Sequence, residues 1–330
     1  MRLPHFEYVK PETIEQAVSV LARSDKKAKL LAGGTDLLVN MKYGVVHPDA
    51  IVSIKHIPEL CAVSSANGHT SIGACANLTD LVNNQNIMAK FPAFDTAVRA
   101  IASQHLRNMA TLGGNVCLET RCWYFNQSKL WRDARELCHR TGGTVCHAIK
   151  GANRCHAINN SDTAPVLAAL DAQIAVAGMG QPRLIPAKDF YQDDGIKHTV
   201  LEPGEMVTAI ELPAGNDTSH SAFIKVSMRK GIDFAMASIA AVVNANGKGV
   251  RLVIGSIASR PIMLEKASQV IMESGLTEKS IEQAAAVVRT ELGILTNLFT
   301  SAGYKRQLTG VLVKRVLNEI KEKIKKAGRA

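Results

Sequence analysis

The stretch Arg107-Asn108-Met109-Ala110-Thr111-Leu112-Gly113-Gly114-Asn115 decides how this chain reads. Two adjacent glycines between a threonine hydroxyl and an asparagine amide make a loop whose backbone can come close to a phosphate. Directly after it, Cys122, Cys138, Cys146 and Cys155 run through a polar segment with little apolar periodicity. A phosphate-suited loop beside four soft metal ligands suggests two redox groups held close together.

A second loop of the same kind lies upstream. Residues 29–32 read as a short buried strand that runs into Gly33-Gly34-Thr35-Asp36, followed by a helical stretch over 37–41 and a second buried strand over 50–54. Taken alone, Ala32-Gly33-Gly34-Thr35-Asp36 fits neither G-x-G-x-x-G nor the lysine-bearing P-loop, and a plain turn is as good a reading as a phosphate site. Paired with Thr111–Asn115, it could grip one diphosphate from two sides.

Around these loops the pattern alternates between helix and strand. Ile14, Ala17, Val18 and Leu21 repeat at helical spacing behind Pro11-Glu12-Thr13. Strands are expected over 70–74, 173–177, 183–185 and 206–212, and helices over 78–82, 94–103 and 166–170. The polar run 214–219 is the best linker candidate. Beyond it, strands over 222–228, 238–243 and 250–254, with Asn246-Gly247 as a hairpin turn, precede helices near 264–273, 280–292 and 302–326. In the last helix Leu308, Leu312, Val316, Ile320 and Ile324 share one face, and its lysines and arginines read as a solvated or partner-facing surface.

The chain has 330 residues, 46% of them apolar, enough for two or three domains. Net charge is +10, but aromatics are only 5% and no basic-aromatic platform of the nucleic-acid kind appears. No apolar run approaches the ~20 residues of a membrane span. Met1-Arg2-Leu3-Pro4-His5-Phe6 lacks the apolar core of a secretory signal, so a cytoplasmic protein is expected. Of seven cysteines, Cys61, Cys75 and Cys117 lie in apolar or strand-like surroundings and read as packing residues.

The remaining four follow C-x15-C-x7-C-x8-C. The tight pair of zinc ribbons is missing, and so is the ferredoxin run. Spacing alone weighs structural zinc and an iron–sulfur cluster equally, with unligated cysteines behind. A segment of this composition has no core of its own, so a metal is expected to order it. His139, His147 and His156 each follow a cysteine and read as surface or supporting groups, because four thiolates already suffice.

Together, Ala32–Asp36 and Ala110–Asn115 resemble the flavin-binding medium subunit of the xanthine dehydrogenase and carbon monoxide dehydrogenase family. The resemblance covers essentially the whole chain. It implies an α+β architecture: a two-part FAD-binding domain of the vanillyl-alcohol-oxidase (PCMH) type over 1–56 and 57–216, then a three-strand, three-helix domain over 217–330. The insertion at about 118–160 is similar to that of the 4-hydroxybenzoyl-CoA reductase β subunit, which implies a [4Fe-4S] cluster on Cys122, Cys138, Cys146 and Cys155. Thr120-Arg121-Cys122 and Gly151-Ala152-Asn153-Arg154-Cys155 carry that likeness. For FAD the resemblance implies a diphosphate cradled by Ala32, Gly33, Gly34, Thr35 and Asp36 and by Thr111, Gly113, Gly114 and Asn115. Asp162 falls on the ribose or adenine side, and Lys225 and Val207 near the flavin ring. The residues themselves allow humbler roles, a helix N-cap for Asp162 and a surface lysine on a strand for Lys225.

The family arrangement implies a large subunit with the molybdenum cofactor, a small subunit with two [2Fe-2S] clusters, a ferredoxin-type donor and a dimer of heterotrimers. Electrons would run inward to reduce an aromatic thioester, and no residue of this chain is expected to touch that substrate. Arg121 and Arg154, beside ligand cysteines, are candidates to raise the cluster potential, or to meet partner or solvent. Two rivals stand: a related dehydrogenase with outward electron flow, and a zinc-stabilised assembly module without flavin.

Overall fold

Short apolar strands build three sheets, and the two glycine loops fall where these meet. The computed structural model of the chain describes residues 2–23, 25, 27–66, 68–214, 219–229, 231–244, 249–293 and 301–327.

The first sheet is parallel, with β1 (Glu7–Val9), β2 (Ala28–Leu31) and β3 (Ala50–Ser53) in the order β1-β3-β2. Central β3 is a continuous apolar run because both its faces are covered. The helix Ile14–Leu21 packs Ala17 and Val18 inward, and Thr13 caps it by accepting from the Gln16 amide. β1 was not expected: three residues leave no readable period.

The second sheet is antiparallel. It contains β4 (Val63–Ala66), β5 (His69–Gly73), β6 (Gln173–Ala177), β7 (Arg183–Pro186) and β8 (Met206–Leu212), in the order β4-β5-β8-β6-β7. Everything between β5 and β6, the second glycine loop and the cysteine segment included, leaves and re-enters this sheet. β4 is exposed along its whole length, so no alternation marked it. The helix expected to reach residue 103 is Pro92–Ala100; Ala102 takes a left-handed φ of 48° and stops it.

The third sheet holds β9 (Ser219–Val226), β10 (Ala237–Asn244), β11 (Val250–Gly255) and β12 (Ile262–Met263) in the order β12-β11-β10-β9. The helices Glu265–Ser274, Glu278–Glu291 and Ala302–Ala327 follow. Three strands were expected. The fourth, β12, is a two-residue edge behind Pro261 that pairs with Val253 and Ile254, too short for sequence periodicity to reveal. Asn246-Gly247, and most of the expected linker over 214–219, lie outside the described residues.

β10 is buried on both faces. Ile239, Ala241 and Val243 join the core under the C-terminal helices, whereas Ala240 and Val242 join the core of the second sheet. Its alternating residues serve two cores at once, which fixes the third sheet against the second.

The insertion has almost no core. Of its apolar side chains over 118–160, only Cys155 and Ala157 are buried, and its regular structure is limited to the helix Lys129–Asp133 and a turn at His139–Thr141. Arginines hold it instead. Arg140 donates to Thr120 O and Oγ1 and pairs with Glu119; Arg132 donates to Gln127 O and Gly44 O; Arg154 pairs with Asp193. These charge-assisted hydrogen bonds tie the segment to the body, beside whatever order a metal would add.

Candidate functional site

A cavity of about 960 Å³ opens where the three sheets meet, lined by both glycine loops, by Asp162, Val207 and Lys225, and by Leu118, Glu119 and Arg121 at the start of the insertion. The loops are in contact. A Cβ on Gly33 would lie 2.0 Å from Met109 O, and one on Gly113 would lie 2.6 Å from Ala74 Cβ. Those two glycines are required by chain packing on chain. Gly34 has a different reason, a φ of 71° that side chains rarely adopt. Gly114 is exposed and lines the cavity; a Cβ there would meet only Thr111 Oγ1, at 3.0 Å.

The loops differ in what their amides are free to do. The second, expected as a loop, is the short helix Leu112–Val116 capped by Thr111, and its amides at Leu112, Gly113, Gly114 and Asn115 donate to Ala76 O, Ala74 O, Thr111 Oγ1 and Thr111 O. In the first, the amides of Gly34, Thr35 and Asp36 have no acceptor among the described residues. Amides able to take an external acceptor thus belong to the first loop, whereas the sequence suggested both. Asn115 turns its Oδ1 toward the chain, accepting from Ser161 Oγ at 2.9 Å and Thr163 Oγ1 at 2.7 Å, and so fixes the segment that carries Asp162.

Asp162 and Lys225 were expected as separate contacts; the fold brings them together. Lys225 Nζ on β9 donates to Asp162 Oδ2 at 2.7 Å and to Ala100 O at 2.9 Å. Asp162 is 4% exposed, and its Oδ1 is buried with no partner among the described residues. Burial pushes its carboxyl up to about 6, against the pull of the Lys225 ammonium. A carboxylate acceptor that the protein leaves unsatisfied at this wall fits the hydroxyls of a sugar or ribityl chain. Val207 is buried on β8 and lines the apolar part of the same cavity.

Asp36 begins the helix Leu37–Lys42 but makes no cap bond to it. Its side chain pairs with Arg121 and accepts from Asn40 Nδ2 at 3.0 Å. Sequence reasoning placed Arg121 only beside the metal and missed its reach to the glycine loop, because the two lie far apart along the chain.

Burial, foremost, raises the thiols of Cys122 and Cys155. The charges of Cys146 and Cys138 also raise Cys122, and those of Cys122 and Cys146 raise Cys155, so the four thiols share one region of the insertion. Amides of Tyr124 and Phe125 face Cys122, that of Ala157 faces Cys155, and Thr141 Oγ1 donates to Cys138 Sγ at 3.7 Å. Among the described residues, no three ligating side chains converge tightly enough for a single ion. His139 and His147 bond to the carbonyls of Ala152 and Glu136. Cys75 and Cys117 are packing residues whose thiols burial pushes up to about 12. Cys61 is exposed and donates to Lys55 O, contrary to the packing role expected of it, because its helix Pro58–Cys61 turns only Leu60 inward.

Residues 4–215 match the family model described as the FAD binding domain in molybdopterin dehydrogenase, and residues 222–320 match the CO dehydrogenase flavoprotein C-terminal domain. The chain belongs to this FAD-binding family. The aldehyde oxidoreductase FAD-binding subunit PaoB of Escherichia coli (strain K12) is 32% identical over 278 residues, 79% of this chain and 84% of that protein. The carbon monoxide dehydrogenase medium chain of Hydrogenophaga pseudoflava is 26% identical over 318 residues, 96% of each chain. A solved carbon monoxide dehydrogenase structure from the same organism superimposes with a TM-score of 0.79, at 26% identity, over 97% of this chain and 98% of that one. The architecture is thus the α+β FAD-binding domain of PCMH type with its C-terminal domain, and the chain is a flavoprotein subunit of an oxidoreductase. No helix among the described residues is long and apolar enough to cross a membrane.

Proposed function

We propose that this chain is the electron-transfer flavoprotein subunit of a molybdenum-containing reductase that dehydroxylates 4-hydroxybenzoyl-CoA or a similar aromatic thioester. In this reading Cys122, Cys138, Cys146 and Cys155 would hold a [4Fe-4S] cluster, which would supply one-electron exchange with a ferredoxin-type donor. The electrons leave for a small subunit with two [2Fe-2S] clusters and a large molybdenum subunit, in a cytoplasmic dimer of heterotrimers. The relatives' names, a medium chain and an FAD-binding subunit, support work alongside further chains. The observation that carries the reading is the seat of the insertion: Leu118, Glu119 and Arg121 line the flavin cavity, and the segment with the four cysteines starts at that wall.

The chain's own residues divide the work. Amides of Gly34, Thr35 and Asp36 take the diphosphate; Thr111, Gly113, Gly114 and Asn115 shape the facing wall. Ala32 and Gly33 bring the first loop onto the second. Asp162 Oδ1 accepts a cofactor hydroxyl, Val207 supplies apolar contact, and the Lys225 ammonium favours negative charge nearby. Bound flavin supplies exchange of electrons singly or in pairs, which links one-electron clusters to a two-electron centre.

The visible spectrum and metal content of the purified complex test this reading. A flavin band near ~450 nm is expected with broad iron–sulfur absorption, together with iron and sulfide beyond those of the small subunit. Flavin without that extra iron would remove the cluster and leave the FAD subunit standing; a colourless preparation holding only zinc would sink both. A second reading, outward electron flow from an oxidised substrate, is favoured by relatives whose names are an aldehyde oxidoreductase and a carbon monoxide dehydrogenase. Assays with 4-hydroxybenzoyl-CoA and reduced ferredoxin, set against an aldehyde with an oxidised acceptor, separate the two.

A further inference from the structure

We infer that Arg121 is a positioning residue of the flavin site, holding the Asp36 carboxylate away from the place where the diphosphate binds. The inference rests on FAD binding, which the family establishes.

Arg121 stands at the neck of the insertion. Its amide donates to Ile158 O at 2.7 Å and its carbonyl accepts from Ile158 N at 2.8 Å, so the two ends of the insertion are clasped there. From this fixed point the side chain crosses the cavity wall to two further segments. The guanidinium pairs with Asp36 in the first glycine loop and lies 5.1 Å from the Phe234 ring centroid, beyond β9. Nε is buried with no partner among the described residues. Asp36, Arg121 and Phe234 all line the one cavity.

Asp36 explains why such a hold is needed. An aspartate at a helix start normally folds back to accept from the amides two or three residues on. Here it does not, and the Gly34 and Thr35 amides beside it also have no acceptor among the described residues. Released, the carboxylate would compete for those helix amides and place a negative charge beside an incoming dianion. Arg121 removes both obstacles, by neutralising the charge and by fixing the rotamer with a planar fork braced on Phe234.

FAD binding by the full complex, stripped of flavin and titrated with FAD under fluorescence, reads the effect. R121M is expected to weaken binding by about tenfold, the usual consequence of losing one charged hydrogen bond. R121K, keeping the charge and losing the fork, falls between. In R121M/D36A both obstacles are gone together with their guard, and most of the affinity should return, an outcome that mere loss of packing would not produce. Wild-type affinity in R121M, or a double variant as weak as R121M, overturns the proposal. If R121M fails to assemble, R121K decides, and wild-type affinity there overturns it as well. A wild-type complex without FAD would instead mark failure of the cofactor reading itself.

Discussion

Asp162 is caught between burial and its lysine partner. With Lys225 Nζ 2.7 Å away, its carboxyl still rises from 3.8 to about 6, because burial outweighs the attraction. A folded pKa above the unfolded one means that the folded chain binds the extra proton. Its contribution to stability is full below pH ~4 and is lost as pH rises through ~6, at most about 3 kcal/mol by linkage. In the FAD-free chain, Asp162→Asn should flatten the fall of the thermal midpoint between these pH values; an unchanged slope would show that Asp162 ionises like an ordinary surface carboxylate. The glycines separate in the same way. Gly113→Val would drive its Cβ into Ala74 and destabilise the chain by about 1–3 kcal/mol with or without FAD. Gly114→Ala, which meets only Thr111 Oγ1, should weaken FAD binding with little loss of thermal stability. Equal melting shifts for the two would remove the distinction between packing glycine and cavity glycine.

The insertion behaves as two parts, a neck and a distal loop. Its neck is pinned by the Arg121–Ile158 bridge, by the Arg121–Asp36 pair and by Arg140 on Thr120 and Glu119, with the Arg140 guanidinium 4.3 Å from the Phe125 ring centroid. None of these bonds involves a thiol. Cys138→Ser should therefore abolish the cluster and the coupling to an external donor while leaving FAD bound. Iron and flavin per chain, with donor-driven turnover, measure it. Normal turnover would sink the inward relay, and loss of FAD would show that neck and distal loop are one unit. β10 is the corresponding joint among the strands, since its two faces belong to different cores.

Across the molecule, charge is spent on joining units. Lys225 on the third sheet reaches Asp162, ahead of the helix Ala164–Ala169, and Ala100 at the end of the helix Pro92–Ala100. Lys225→Met would strand a buried carboxylate and should cost about 3–5 kcal/mol, as breaking a buried pair does. Adding Asp162→Asn to the same chain should recover much of that in urea unfolding. Additive losses would mean that the pair is not what couples the sheets. The basic face of the helix Ala302–Ala327 is largely occupied within its own unit: Lys314 pairs with Glu282, Lys323 with Glu319 and Lys325 with Glu322, and Lys323 also donates to Ser221 O.

Much of this was legible along the chain. The glycine doublets, the apolar strands and the three C-terminal helices announce themselves through local spacing, because strand and helix periods span only a few residues. The cysteine segment declared its lack of a core through composition alone. Other features stayed hidden: the Asp162–Lys225 pair, the occupied amides of the second loop, the packing duty of Gly33 and Gly113, and the reach of Arg121 to Asp36. Each depends on segments dozens of residues apart being folded against one another, and local periodicity holds no record of which distant backbone will arrive at a given side chain.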